Sequence, residues 1–144
     1  MPAWTDAAVE DYLRRLPREF AIELVEIKPE PRNRGRSVAQ MLAAEARRIA
    51  AATEGWRTVA VDEHGEAWTT VRLATRLREW RDRTESVAFV IGSADGLAAA
   101  VKHNADVIVA LSALTLAHGV ARVLLAEQLY RAASMLGGHP YHRA

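Results

Sequence analysis

The chain predicts an α/β fold built on a parallel sheet with helices on both faces. Two short runs, SVAFVIG at 86–92 and VIVALS at 107–112, are apolar almost throughout, as strands buried on both sides are. Stripes of apolar residues at helical spacing alternate with the strand runs along the chain, the order expected of an α/β sandwich. With 144 residues, half of them apolar, the chain can build one buried core and is too short for two ordinary domains, so a single domain over 1–144 is expected.

Taken in order, Thr5 offers an N-cap, and Val9, Tyr12, Leu13 and Leu16 follow at helical spacing until Pro17 stops the run. FAIELVEI at 20–27 sets Ile22 and Leu24 against Glu23 and ends before Pro29, the pattern of a strand exposed on one face. PEPRNRGR, running to about residue 36, is a loop. Ser37 with Gln40 makes a capping box, and Val38, Met41, Leu42, Glu45 and Ile49 trace a second helix that closes near Gly55. TVAVD at 58–62 is a short strand, and EHGEAW turns the chain. Thr69 or Thr70 caps a third helix with Leu73, Leu77 and Trp80 on its buried stripe. After the strand at 86–92 come a short helix over 97–104, the strand at 107–112 and a long closing helix over 119–136. The tail GGHPYHRA is irregular, and neither repeats nor a linker interrupt the chain.

Composition excludes several chemistries. A formal net charge of +1 means that any nucleic-acid contact must come from local patches and not from a field of the whole protein. The absence of cysteine removes disulfides, thiolate metal sites and a thiol nucleophile, and no metal-ligand spacing is present. The longest apolar stretches fall far short of the roughly 18 to 20 residues that span a bilayer. MPAWTDAAVEDYLRR lacks a signal-peptide core, so a soluble cytoplasmic protein without membrane or metal is expected.

In an open parallel sheet ligands bind beyond the carboxyl ends of the strands, which directs attention to DEHGEAW, GSADG and SALTLAHG. GSADG at 92–96 has two glycines that let a ligand approach the backbone closely, though it is neither GxGxxG nor a Walker loop; an ordinary strand-to-helix turn is the other reading. SALTLAHG at 112–119 presents small and apolar groups with backbone amides where an adenine ring would lie, unless the loop caps itself. His118 stands at the loop-to-helix junction with Arg122 one turn later, so that both can face one cleft. HPYHR at 139–143 combines two histidines, a tyrosine and an arginine, a mixture suited to stacking on a base and contacting phosphate, with a frayed terminus as the alternative. Arg32, Arg34 and Arg36 form a basic loop that can contact phosphates or simply be solvated. Val120, Val123, Leu124 and Tyr130 make the last helix's apolar stripe, core or subunit interface, and Glu127 interrupts it at the spacing that pairs it with Arg131.

At FVIGSADGL, LSALTLAHGVARVLLAEQLYRA and HPYHR, and at MPxW and EDYLRRLP near the start, the sequence resembles the ribosomal RNA large subunit methyltransferase H family, of the SPOUT class. The resemblance implies a trefoil-knotted α/β methyltransferase fold, with S-adenosyl-L-methionine (SAM) held bent in the knot. It also implies a homodimer acting on the ribosome, where a methyl group is transferred to N3 of a pseudouridine in 23S rRNA. Val61 matches the family's cofactor-contacting position after the third strand, Gly92 its glycine loop, and Leu111, Ser112, Ala113, Leu114, Thr115 and Leu116 its adenosine-contacting loop. His118, Arg122, Tyr141 and His142 fall on its polar active-site and substrate-side positions, and Arg131, His139 and Arg143 are the residues expected on RNA. Ser93 replaces the family's second loop glycine and Ala117 its proline. Family members carry a strand ahead of the MPxW segment, at which this chain starts with Met1, so that the family's first strand is expected to be missing.

The implied reaction removes the proton on N3 as the nitrogen attacks a sulfonium methyl. His142 or His118, with a reference pKa of about 6.5, qualifies as the base. Arg122 or Arg131 can stabilise the imidate as it forms, and alignment of nitrogen, carbon and sulfur supplies much of the rate. Two alternatives stand beside it: a non-enzymatic ribosome-binding protein inactivated by loss of the first strand, and a SPOUT methyltransferase acting on tRNA.

Overall fold

The computed structural model describes residues 3–26, 35, 37–92, 97–138 and 141. Along the chain run α1 (Ala3–Arg14), β1 (Ile22–Val25), α2 (Val38–Ala52), β2 (Arg57–Ala67), α3 (Thr70–Asp82), β3 (Val87–Ile91), α4 (Ala99–Asn104), β4 (Val107–Ala110) and α5 (His118–Leu136). They fall into two compact units, one spanning 22–66 and 87–110, the other made of 1–21, 67–86 and 111–144.

The first unit holds a four-stranded sheet in the order β1-β3-β2-β4. β3 pairs in parallel with β1, Ile22 opposite Val87, and with β2, Val59 opposite Phe89 and Val61 opposite Ile91. All five residues of β3 are buried, as the unbroken apolar run predicts for a central parallel strand. Alternation divides them between two faces. Ala88 and Val90 join Val25, Ala60, Ile49 of α2 and Leu97 in one cluster against which Val101 and Ala105 pack, whereas Val87, Phe89 and Ile91 lie buried on the opposite side with Val59. The capping box at the start of α2 is formed: the Gln40 amide donates to Ser37 Oγ at 3.1 Å and the Ser37 amide donates to Gln40 Oε1 at 2.9 Å.

The second unit is helical, with α1 and α3 each packed against α5. Leu125, Ala126, Leu129, Ala132 and Ala133 form the buried side of α5. Thr69, not Thr70, caps α3, accepting the Arg72 amide at 3.1 Å.

Several local expectations need correction. EHGEAW does not turn; β2 continues through it to Ala67. Gly65 is what permits this, since a Cβ there would stand 2.8 Å from the carbonyl carbon and oxygen of Ile108 and from Val109 C in β4. Thr5 is no N-cap, because α1 begins at Ala3 and Thr5 lies buried within it. The strand in FAIELVEI is shorter than expected, ending at Val25, and β4 stops at Ala110. Of the basic loop, Arg32, Arg34 and Arg36 lie outside the described residues, as does Ser93.

Candidate functional site

In the sheet unit, Val61 and Gly92 stand within one residue of the same level. Val61 faces Ile91, the last residue of β3, in the final β2/β3 pair, and Gly92 follows directly. Both therefore mark the carboxyl end of the central strand, where parallel sheets bind ligands.

In the helical unit, Leu111 to Leu116 form an irregular segment ahead of α5. Ser112 Oγ accepts the Leu114 amide at 2.9 Å, a local turn that satisfies one backbone donor. Leu114 is 74% exposed, and Ala113 and Thr115 are exposed beside it. Leu114 therefore presents an apolar side chain to solvent on a turn whose backbone is already shaped. His118 opens α5 half-buried. Arg122, one turn on, is engaged across the unit: its Nη1 donates to Asp6 Oδ1 of α1 at 2.7 Å, with the arginine side chain 12% exposed.

The densest polar arrangement surrounds Glu127. Its Oε1 accepts Arg131 Nε at 2.8 Å, with Arg131 Nη2 at 2.7 Å, the i,i+4 pair that the spacing predicts. The Tyr141 hydroxyl donates to the same oxygen at 3.2 Å, and Gln128 Nε2 donates to Oε2 at 2.8 Å. Thr70 of α3 in turn donates to Gln128 Oε1 at 2.7 Å. One carboxylate thus fixes a guanidinium and a phenol from the tail and is itself oriented from α3.

Aromatic rings extend the cluster. Tyr130 meets Tyr141 edge to face with centroids 4.7 Å apart, and Tyr12 of α1 lies 6.0 Å from Tyr130. Arg131 stacks 4.9 Å from the Tyr141 centroid, and Arg15 lies 5.6 Å from each of Tyr12 and Tyr130. The hydrogen bond with Tyr12, burial and the Glu127 carboxylate push the Tyr141 hydroxyl well above the usual phenol range, so it is a donor and not a base at neutral pH. The bond to Glu127 likewise raises Arg131 and keeps it cationic.

Of the expected site residues, Tyr141 and Arg131 are brought together, Arg122 is paired with Asp6, and His139, His142 and Arg143 lie outside the described residues. Sequence reasoning missed Asp6, Arg15 and Gln128, and it counted Tyr12 and Tyr130 only as members of apolar stripes. A tyrosine on such a stripe carries a hydroxyl that needs a partner when buried, and that signal lies in the sequence. Among the described residues no group of three or more His, Asp or Glu side chains is placed to hold a metal ion, and no helix is long and apolar enough to cross a membrane.

Comparison with known proteins agrees with this architecture. A family model described as "Predicted SPOUT methyltransferase" matches residues 1–142. The protein named ribosomal RNA large subunit methyltransferase H of Nitrosospira multiformis is 53% identical over 145 aligned positions, covering 100% of this chain and 93% of its own. That of Laribacter hongkongensis is also 53% identical, covering 99% and 92%. The crystal structure of a probable methyltransferase from Bordetella pertussis superposes with a TM-score of 0.54 over 88% of each chain at 20% identity, a likeness of fold alone. Matched along its whole length at such identity, the chain belongs to the ribosomal RNA large subunit methyltransferase H family of SPOUT methyltransferases.

Proposed function

We propose that this protein transfers a methyl group from SAM to N3 of a pseudouridine in 23S rRNA on the assembled ribosome. The observation that carries the reading is the 53% identity along the whole chain with relatives named for large-subunit rRNA methylation. The family match over 1–142 supports one SPOUT domain over 1–144, and the reading is completed by the family's knot, a homodimer and a cytoplasmic location.

When bound, the cofactor supplies an electrophilic methyl on a sulfonium and leaves as S-adenosylhomocysteine. Val61, Gly92 and Leu111 to Leu116 are the residues that would hold it, the last six by contact with its adenosine. His118 or His142 takes the N3 proton, since an imidazole within reach of the imide can serve as general base. Arg122 or Arg131 stabilises the charge that develops on the imide oxygens. Tyr141, protonated and tethered to Glu127, positions the base of the nucleotide or donates to it. Arg131, His139 and Arg143 contact the RNA, with the Glu127 tether holding the Arg131 guanidinium in a fixed plane.

The test is methyl transfer from labelled SAM to assembled ribosomes, protein-free 23S transcript and tRNA, followed by nucleoside mass spectrometry. Ribosomes methylated at a single pseudouridine, with transcript a poor substrate, is the expected outcome. Preferential labelling of tRNA, or no labelling at all, overturns the reading, and efficient modification of bare transcript overturns its ribosomal part.

A further inference from the structure

β2 and α4 bring together two opposite charges that the roles above do not use. We propose that Asp62 and Lys102 receive the zwitterionic amino-acid end of the cofactor, the aspartate taking its ammonium and the lysine its carboxylate. This rests on the cofactor reading given above and adds the two groups that would tell the amino-acid moiety from the nucleoside.

The placement comes from the strand register. Val61 opposes the last residue of β3, so Asp62 stands one step beyond the end of that strand, level with Gly92. By alternation its side chain leaves the sheet on the same face as Ala60, the face on which Val101 of α4 packs. Lys102 is the next residue of that helix.

Among the described residues the shielded Asp62 carboxylate lacks a cation in contact, and the Lys102 ammonium reaches partly into solvent. The Asp62 side chain is only 14% exposed, yet among the described residues its carboxylate accepts one hydrogen bond, from the His64 amide to Oδ2 at 3.0 Å. Its other oxygen faces Lys102 Nζ at 4.0 Å, beyond hydrogen-bond reach, and no other partner of Lys102 is found among the described residues. A shielded carboxylate is costly unless it gathers donors or a cation in contact. Held just apart, the two charges match a ligand that carries one ammonium and one carboxylate on the same carbon, since bridging by it makes a ring of four alternating charges in which every group touches an opposite one. A single anion or a single cation would satisfy one side and repel the other.

The experiment is calorimetric titration of the full chain with S-adenosylhomocysteine, which carries the zwitterion, and with methylthioadenosine, which lacks it. The comparison is repeated on Asp62→Asn and Lys102→Gln after thermal melting has shown that each variant folds. Expected is a loss of about 10- to 100-fold in affinity for S-adenosylhomocysteine in either variant, as for a charged hydrogen bond removed, with methylthioadenosine binding unchanged. Asp62→Glu should recover part of the loss. If both ligands weaken together, or neither does, while the parent chain binds both, this inference falls and the cofactor reading stands. If the parent chain binds neither ligand, the cofactor reading falls and takes the inference with it.

Discussion

Replacing Glu127 by alanine tests the polar cluster most directly. The substitution removes the acceptor of Arg131 Nε at 2.8 Å, of Gln128 Nε2 at 2.8 Å and of the Tyr141 hydroxyl at 3.2 Å, together with the charge opposite the guanidinium. A fully exposed pair of this kind contributes about 0.2 to 1 kcal/mol, and breaking a fully buried one costs about 3 to 5. The side chains here are 26% and 18% exposed, between those limits but nearer the buried one. Allowing for relaxation of Arg131 toward solvent, the loss is about 2 kcal/mol, which for a chain of this size lowers Tm by roughly 6 to 8 °C. Glu127→Gln keeps an oxygen toward Arg131 and Tyr141, and its new amide can be accommodated if the Gln128 amide turns over, because the Thr70 hydroxyl can accept as well as donate. It should cost about 1 kcal/mol, half as much. Differential scanning calorimetry of the parent and both variants at neutral pH measures the series. A Glu127→Ala protein melting within about a degree of the parent refutes the view that this carboxylate organises the cluster.

Two further outcomes follow from the same geometry. Gly65→Ala drives a Cβ to 2.8 Å from three backbone atoms of β4, which no side-chain rotation relieves, and should destabilise by about 1 to 3 kcal/mol in urea unfolding; an unchanged midpoint means that the close approach of β2 to β4 does not exist. Tyr141 has a folded-state pKa raised above its unfolded value of about 10, so the stability it contributes is complete below pH 10 and is lost as pH climbs beyond it. Ultraviolet titration should therefore show one tyrosine ionising later than free tyrosine, absent in Tyr141→Phe and earlier in Glu127→Gln, and a variant spectrum identical to the parent's would contradict the assignment.

Features set by neighbours along the chain are legible in the sequence alone. The Ser37/Gln40 box, a cap for α3 at Thr69 or Thr70, of which the structure uses Thr69, and the Glu127–Arg131 pair depend on spacings of three and four residues, which helical geometry converts directly into contact. β3 is legible because a strand buried on both faces has no polar alternation to confuse its assignment. The length of β2 is not, because EHGEAW carries charges and a glycine that read as a turn, and only the proximity of β4 shows why the glycine belongs in a strand.

What the sequence determined by itself, then, is the α/β class, the order of elements, the family, the capping box of α2 and the Glu127–Arg131 pair, since each rests on periodicity or on motifs read along one line. The tertiary structure alone decided that Asp6 would meet Arg122 across 116 positions, that Tyr12 and Tyr141 would approach across 129, and that Asp62 and Lys102 would face each other unclosed. Such contacts join segments whose separation in the chain carries no geometric information. They exist because burying the apolar faces of α1, α5, β2 and α4 outweighs the entropy of closing long loops, and the polar groups carried on those faces must then find partners where packing leaves them.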